Sequence, residues 1–169
     1  MIHLVTGGAR AGKSSFVLAQ AEAVAGTIHF VATAEAHDAE MTTRIVRHRA
    51  ERGPRYHTIE APLLLPRALG ELGEGGAVVV DCLTMWVANH LLRGASDEET
   101  GTQVNALCEA LRALSRPTWV VTNEVGLGIV PDNALARRYR DDLGRCNQRV
   151  ASISTHVSLL VAGIPVSVR

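Results

Sequence analysis

A glycine-rich octapeptide near the amino terminus constrains the fold of this chain more than any other feature. Residues 7–14 read Gly-Gly-Ala-Arg-Ala-Gly-Lys-Ser, which matches the pattern GxxxxGK(S/T), and they follow a short apolar run at residues 4–6. Glycines let the backbone curl so that N–H groups point inward at phosphate oxygens, and a helix that begins there adds the positive end of its dipole. The octapeptide therefore predicts a strand, a loop that binds the phosphates of a nucleoside triphosphate, and a helix.

The side chains expected to carry the phosphate chemistry lie in this loop and at the end of a later apolar run. Lys13 is expected to reach the β- and γ-phosphates as a mobile charge, and Ser14 to place its hydroxyl on Mg²⁺. Asp81 ends the apolar run at residues 77–80, which suits a second acid on the magnesium side. Asp81 is also placed to cap a helix that begins at Leu83, and both roles are compatible. The predicted phosphate contacts are Gly7, Gly8, Ala9, Arg10, Ala11, Gly12, Lys13 and Ser14.

Short β-branched runs alternate along the chain with longer segments of helical periodicity. Strands are predicted at residues 4–6, 27–33, 77–80, 118–122, 156–162 and 166–168, with a turn at 163–165. Helices are predicted at residues 13–24, 38–52, 66–72, 83–92, 96–114 and 133–153. This order predicts one α/β domain over residues 1–169, a P-loop NTPase-like three-layer fold whose mostly parallel central sheet carries an antiparallel edge strand. Two segments break the alternation, 34–62 and 123–131, and we expect them at the edge of the sheet where ligands bind.

Composition excludes several classes of function. Lys+Arg and Asp+Glu both number 17, and this neutral balance argues against a general nucleic-acid binder. The sequence predicts neither a signal peptide nor a membrane span. The three cysteines are far apart and form no CxxC pair, so neither a disulfide framework nor a zinc site is indicated. We therefore expect a cytoplasmic protein.

The predicted helix at residues 38–52 is unusually basic. It contains Arg44, Arg47, Arg49 and Arg52, with His48 among them. Several arginines together favour an anionic partner such as a triphosphate, and neighbouring cations disfavour the imidazolium form of the histidine. Neutral imidazole is a competent nucleophile toward phosphorus. The residues alone leave phosphate binding and covalent catalysis by His48 as equal alternatives.

Four stretches of the chain resemble a known family. They are VTGGARAGKS at 5–14, RIVRHR at 44–49, TNEVGLGIVP at 122–131 and RDDLGRCNQR at 140–149. Together they resemble the bifunctional adenosylcobinamide kinase / adenosylcobinamide-phosphate guanylyltransferase of cobalamin biosynthesis. The likeness runs from end to end, and the strings at 123–131 and 144–148 are much more specific than the glycine loop.

This resemblance implies two reactions. The first phosphorylates the hydroxyl of the aminopropanol arm of adenosylcobinamide, with ATP or GTP as donor, and the second transfers GMP from GTP onto that phosphate and releases pyrophosphate. The second step would pass through a GMP–histidine intermediate, which carries over onto His48. The resemblance also implies Mg²⁺ with the nucleotide and a homo-oligomer, typically a trimer, with the active site near a subunit boundary. The implied nucleotide contacts outside the loop are Ala32, Thr33, Ala34, Arg49, Ala50, Glu51, Arg52, Glu60 and Asp81.

Asn123 and the arginines of the last predicted helix each allow two interpretations. Asn123 ends a predicted strand beside the loop, where it is either a substrate contact or a turn residue. The helix at 133–153 carries many arginines, which form either a solvated, salt-bridged face with Asp141 and Asp142 as partners or an anchor for the corrinoid phosphate or another subunit. The arginines concerned are Arg137, Arg138, Arg140, Arg145 and Arg149.

Overall fold

A twisted central sheet organises the computed structural model, which describes residues 1–36, 42–43, 46, 49 and 52–169. Its strands are β1 (Ile2–Gly7), β2 (Ile28–Ala32), β3 (Tyr56–Glu60), β4 (Ala77–Asp81), β5 (Thr118–Val121), β6 (His156–Val161) and β7 (Ile164–Ser167). Within the described residues the strand order is β3-β2-β4-β5-β1-β6-β7. All neighbouring pairs are parallel except β6 and β7. The predicted mostly parallel sheet with an antiparallel edge strand is confirmed.

Helices cover both faces of this sheet. They are α1 (Lys13–Glu22), α2 (Leu65–Gly70), α3 (Leu83–Leu92), α4 (Asp97–Ala113) and α5 (Ala134–Ile153). Helix α1 packs on one face, in a cluster that includes Val17 and Val79, whereas α2 to α5 pack on the other face with Val78 and Val80. Because both faces of β4 are buried, residues 77–80 form a continuous apolar run rather than an alternating one. The three-layer prediction is thereby confirmed.

Local sequence signals account for the start of the two long helices. Ser96 caps α4: its side chain accepts from the N–H of Glu99, and the Glu99 carboxylate accepts from the N–H of Ser96. Asn133 caps α5, since its Oδ1 accepts from the N–H groups of Leu135 and Ala136. Helix α3 has the predicted bounds. Among the helices of the described residues, none combines the length and the apolar character that crossing a lipid bilayer requires.

The structure corrects two predictions and leaves one outside the described residues. Strand β3 lies within residues 34–62, which the sequence predicts as an insertion. As an edge strand it is only partly buried, so its sequence shows only a weak alternation of apolar and polar residues. The predicted turn at 163–165 is wrong: the turn consists of Ala162 and Gly163, both with positive φ, and β7 begins directly after it. The helix predicted at 38–52 lies largely outside the described residues, of which Thr42, Thr43, Val46 and Arg49 are helical.

The register of the parallel strands brings the predicted site residues to one edge of the sheet. Asp81 of β4 is level with Ala32 of β2 and with Val121 of β5. Val121 is in turn level with Val5 of β1, two residues before the glycine loop. This carboxyl edge therefore carries the loop, the end of β4 and the ends of β2 and β3 side by side.

Candidate nucleotide-binding and transfer site

The glycine loop at residues 7–14 closes against the turn between β6 and β7. The N–H of Gly163 donates to the carbonyl of Ala11 at 3.0 Å, and a Cβ on Gly12 would lie 3.1 Å from the Cα of Gly163. Gly12 has φ +90°, a left-handed conformation that favours glycine. Gly8 is exposed, and no atom of the described part of the chain lies within 4 Å of the position of its Cβ. The loop is thus fixed on its inner side and open on the side where a ligand approaches.

Lys13 lies at the centre of this loop. Its Nζ donates to the carbonyls of Gly7 at 3.1 Å and Gly8 at 2.6 Å, and the residue is 8% exposed. Helix α1 begins here with no side-chain cap and no acidic residue in its first turn. No acidic side chain of the helix's own first turn therefore competes with an anion for the first-turn N–H groups. Lys13 is also the only lysine of the whole sequence, so it supplies the chain's only ε-amino group.

Ser14 and Asp81 supply oxygen atoms on the two sides of the site. The Ser14 hydroxyl makes no hydrogen bond within the described part of the chain. Asp81 is half-buried at the end of β4, and the residue at the N-cap of α3 is Cys82, so the predicted capping role of Asp81 is wrong. A hydroxyl and a carboxylate are the hard oxygen ligands that Mg²⁺ prefers. The residues present therefore fit a magnesium ion held together with nucleotide phosphates.

Two of the predicted arginines reach the same edge of the sheet. The guanidinium carbon of Arg52 lies 3.9 Å from the centroid of the Phe30 ring, on the α1 face. Burial lowers the pKa of Arg52, and the nearby Asp81 carboxylate partly offsets that effect. Among the described residues its buried Nε has no hydrogen-bond partner. Arg49 lies 3.8 Å from the carboxylate of Glu60, and because both side chains are exposed this pair is weak.

The segment at residues 32–34, predicted to contact the nucleotide, is held by buried hydrogen bonds. Thr33 is fully buried; its Oγ1 donates to the carbonyl of Cys82 at 2.7 Å and accepts from the Cys82 N–H at 2.8 Å. The carbonyl of Thr33 accepts from Nδ2 of Asn89 at 2.8 Å, so its hydroxyl and its carbonyl already have protein partners. Ala32 and Ala34 flank it and are half-buried. A nucleotide contact by any of the three stays a prediction.

Sequence reasoning missed Asn89, although a signal was present. Asn89 is 1% exposed in the mostly apolar helix α3, where a buried polar side chain needs partners. Its Nδ2 also donates to the carbonyl of Pro62 at 3.0 Å. It thereby ties together the segments that follow β2 and β3.

Three predicted site residues are not placed by the structure. His48, Ala50 and Glu51 lie outside the described residues. Their neighbours Arg49 and Arg52 are described, and both interact with residues of the carboxyl edge. The nucleophilic role of His48 therefore stays a prediction.

Most arginines of α5 form a salt-bridged surface, as one of the two interpretations predicted. Arg138 and Arg145 both pair with Asp97 of α4 and with the buried Asp142. Arg140 pairs with its neighbour Asp141 at 3.6 Å. These interactions hold α5 against α4 and do not involve the glycine loop.

The fold and the site define a P-loop nucleotide-binding protein. The ATPase EscN of the enteropathogenic E. coli type III secretion system aligns with a TM-score of 0.59 at 10% identity, over 95% of this chain and 43% of that one, which shows a shared fold alone. The chain belongs to the family described as cobinamide kinase / cobinamide phosphate guanyltransferase, whose sequence profile matches residues 3–168.

Curated relatives match this chain over nearly the whole length of both proteins. A protein of Pseudomonas aeruginosa described as bifunctional adenosylcobalamin biosynthesis protein CobP is 39% identical over 100% of this chain and 98% of its own. A Salmonella typhimurium protein described as bifunctional adenosylcobalamin biosynthesis protein CobU is 37% identical over 100% of both chains. The resemblance drawn from the four sequence stretches is thereby confirmed at the level of the family.

Proposed function

We propose that this chain catalyses two successive reactions at the carboxyl edge of its sheet: phosphorylation of adenosylcobinamide by ATP or GTP, and transfer of GMP from GTP to adenosylcobinamide phosphate. The observation that carries the proposal is the position of Lys13 at the centre of the glycine loop, at the uncapped start of α1. Family membership supplies the acceptor and both reaction types. The roles of the individual site residues are part of the same proposal.

In the first reaction the loop and Lys13 hold the β- and γ-phosphates. The γ-phosphoryl group leaves the oxygen that bridges it to the β-phosphate and bonds to the acceptor hydroxyl, whose proton passes to solvent. Negative charge spreads over the three equatorial oxygens, where the Lys13 ammonium and the loop N–H groups stabilise it. Ser14 and Asp81 would hold Mg²⁺, which supplies charge neutralisation between the phosphates.

In the second reaction His48 acts as the nucleophile. Its ring nitrogen bonds to the α-phosphorus of GTP, and pyrophosphate leaves. A phosphate oxygen of adenosylcobinamide phosphate then bonds to the same phosphorus, and the histidine is released. Arg49 and Arg52 stand at the sheet edge, where they would neutralise phosphate charge. Dividing one displacement into two gives each a good nucleophile and a good leaving group.

The proposal includes assembly and compartment. Three copies would associate, with the active site near a subunit boundary, as the resemblance to the family implies. The enzyme would act in the cytoplasm, an assignment supported by three free cysteines of which two are buried.

The kinase proposal is tested with Lys13→Ala and with Arg67→Ala as a matched control. Arg67 is an exposed cation that pairs with Glu71 on α2, away from the loop. We expect Lys13→Ala to lower kcat/KM for adenosylcobinamide phosphorylation by on the order of 10²–10³-fold, the effect of removing a group that stabilises transition-state charge. Arg67→Ala should match the wild type. Equal activity of the two variants would refute the assignment of Lys13, and a wild-type protein that phosphorylates no cobinamide would refute the function.

Lys13 also offers a test that needs no acceptor. Because the chain has one lysine, acylation by an amine-reactive reagent modifies a single ε-amino group besides the α-amino terminus. We expect ATP or GTP to slow acylation of Lys13 and to leave the α-amino group unchanged, as measured by peptide mass spectrometry. Acylation at the same rate with and without nucleotide would contradict phosphate binding by the loop.

A further inference from the structure

The chain after β5 continues along the glycine loop beyond the end of the strand. The N–H of Thr122 donates to the carbonyl of Val5 at 2.9 Å, and the N–H of Glu124 donates to the carbonyl of Gly7 at 3.2 Å. These two hydrogen bonds continue the parallel ladder between β5 and β1, in which every second residue of a strand bonds to the same neighbouring strand. Asn123 is therefore held in extended register directly beside the first glycine of the loop.

Side chains replace the missing strand on the other side of Asn123. Strand β4 ends at Asp81 and the chain turns into α3, which leaves the main-chain groups of Asn123 without a strand partner. The N–H of Asn123 instead donates to Oγ1 of Thr84 at 3.0 Å, and its carbonyl accepts from Nδ2 of Asn147 at 3.1 Å. Oδ1 of Asn147 accepts from the Thr122 hydroxyl at 2.7 Å. Two helices thus fix the backbone of one residue.

The alternation of side chains places Asn123 on the face of the sheet that α1 covers. Val120 packs in the cluster of α2 to α5, and Val121 packs in the cluster of α1. The Thr122 side chain donates a hydrogen bond to Asn147 of α5, so it points to the face covered by α2 to α5. Asn123 follows in the same extended register, which puts its side chain on the side of α1 and the glycine loop.

The carboxamide of Asn123 makes no hydrogen bond within the described part of the chain, although the residue is half-buried. A half-buried amide with a fixed backbone and no protein partner is suited to bind a ligand. Strand β5 lies between β1, which leads into the glycine loop, and β4, which ends at Asp81. A ligand bound between the loop and Asp81 would therefore place its phosphate atoms nearest to Asn123.

We propose that the Asn123 carboxamide donates a hydrogen bond from Nδ2 to the terminal phosphoryl group of the nucleotide and holds it in line with the acceptor hydroxyl. Thr84 and Asn147 are positioning residues for this contact. The inference rests on the proposed function for the acceptor, but the contact itself requires only a nucleoside triphosphate. It assigns Asn123 to the phosphoryl-transfer step and not to the transfer of GMP, which takes place at the α-phosphate.

Binding of nucleotides tests the contact without any turnover. Calorimetry would compare ADP with a non-hydrolysable ATP analogue, in the wild type and in Asn123→Ala. A lost hydrogen bond to a charged phosphate corresponds to about a tenfold weaker affinity, so the analogue should bind about tenfold more weakly and ADP within about twofold of the wild type. Asn105→Ala is the control, because Asn105 is an exposed amide on α4 that pairs with Arg149. Equal loss for both nucleotides, or for neither, would overturn the proposal.

Kinetics separates the contact from a merely structural role. We expect Asn123→Ala to lower kcat for adenosylcobinamide phosphorylation by on the order of 10²-fold, with KM for the nucleotide changed by about threefold at most. Formation of the GMP adduct from GTP should stay within about twofold of the wild type, because the α-phosphate is not contacted. Asn147→Ala should show a smaller loss of the same kcat. A parallel fall of both activities in Asn123→Ala, together with a lower Tm, would show that Asn123 only supports the fold.

The two proposals fail in different ways. A wild-type protein that phosphorylates no cobinamide would refute the proposed function, and the ADP comparison would still decide the role of Asn123. A wild-type kinase whose activity survives Asn123→Ala would refute the role of Asn123 alone.

Discussion

Replacing Gly7 by alanine should damage the fold and not only the phosphate site. Gly7 ends β1 and is paired with Leu160 of β6. A Cβ at this position would lie 2.6 Å from the carbonyl oxygen of Leu160, closer than real Cβ contacts come, and the obstructing atom is backbone that cannot rotate away. The two strands would have to separate by several tenths of an ångström at the base of the loop.

The expected loss follows from two terms. Overpacking in a well-packed region typically costs about 1–3 kcal/mol. The Gly7 φ of +152° is a conformation that L side chains rarely adopt, which costs on the order of 1–3 kcal/mol more. We therefore expect Gly7→Ala to lower the free energy of unfolding by about 2–6 kcal/mol, or Tm by roughly 5–20 °C for a chain of this size.

Gly8→Ala provides the matched control in the same loop. Gly8 is exposed, no atom of the described residues lies within 4 Å of its Cβ position, and its φ is not positive. Urea unfolding of the two variants, followed by circular dichroism without nucleotide, should show a loss for Gly7→Ala and a change of at most about 0.5 kcal/mol for Gly8→Ala. Equal stability of the two variants would refute the steric reasoning.

Two further outcomes follow from local contacts. Ser96→Ala should lower stability by about 1 kcal/mol, as loss of an N-cap does. Because hydrogen bonds from Ser96 lower the pKa of Glu99, the ionised carboxylate stabilises the fold above the usual glutamate pKa, and this contribution is lost as the pH falls through the lowered value. Urea unfolding at a series of acidic pH values should show a flatter pH dependence in Glu99→Gln, which has no carboxylate to titrate, than in the wild type, and an unchanged slope would contradict the capping box. Burial raises the pKa of Cys82 to about 11 and that of Cys146 to about 12, so iodoacetamide at neutral pH should modify both thiols slowly in the native protein and quickly in urea. Rapid modification of native Cys146, measured by peptide mass spectrometry, would contradict its burial.

Elements with a strong local signal could be predicted from the sequence. The glycine loop, the continuous apolar run of β4 and the capping box at Ser96 each have one physical cause within a few residues. The apolar helix α3 ends where predicted. Alternation of strands and helices then fixes the fold class, because parallel strands need crossover helices.

The remaining features depend on contacts distant in sequence. Strand β3 pairs with β2, although residues 33–55 separate the two strands in sequence, and the apolar alternation of β3 is weak. The position of Arg52 over the Phe30 ring follows from the approach of two segments that no spacing rule connects. Likewise, Asn147 acts on Asn123 through a hydrogen bond across 24 residues. In the turn, Gly163-Ile164-Pro165 has turn-forming residues, yet the hairpin ladder includes Ile164 and Pro165.

Capture of a covalent GMP adduct tests the central claim most directly. The protein is incubated with GTP labelled at the α-phosphate and Mg²⁺, denatured, and washed. A phosphoramidate is stable to alkali and labile to acid, so the retained label should survive alkali, disappear in acid, and be absent from His48→Ala. His57→Ala is the control, because His57 is an exposed ring on β3 that makes an edge-to-face contact with His29; it should retain the label. Wild-type protein without retained label, or a labelled His48→Ala variant, would contradict nucleotidyl transfer through His48.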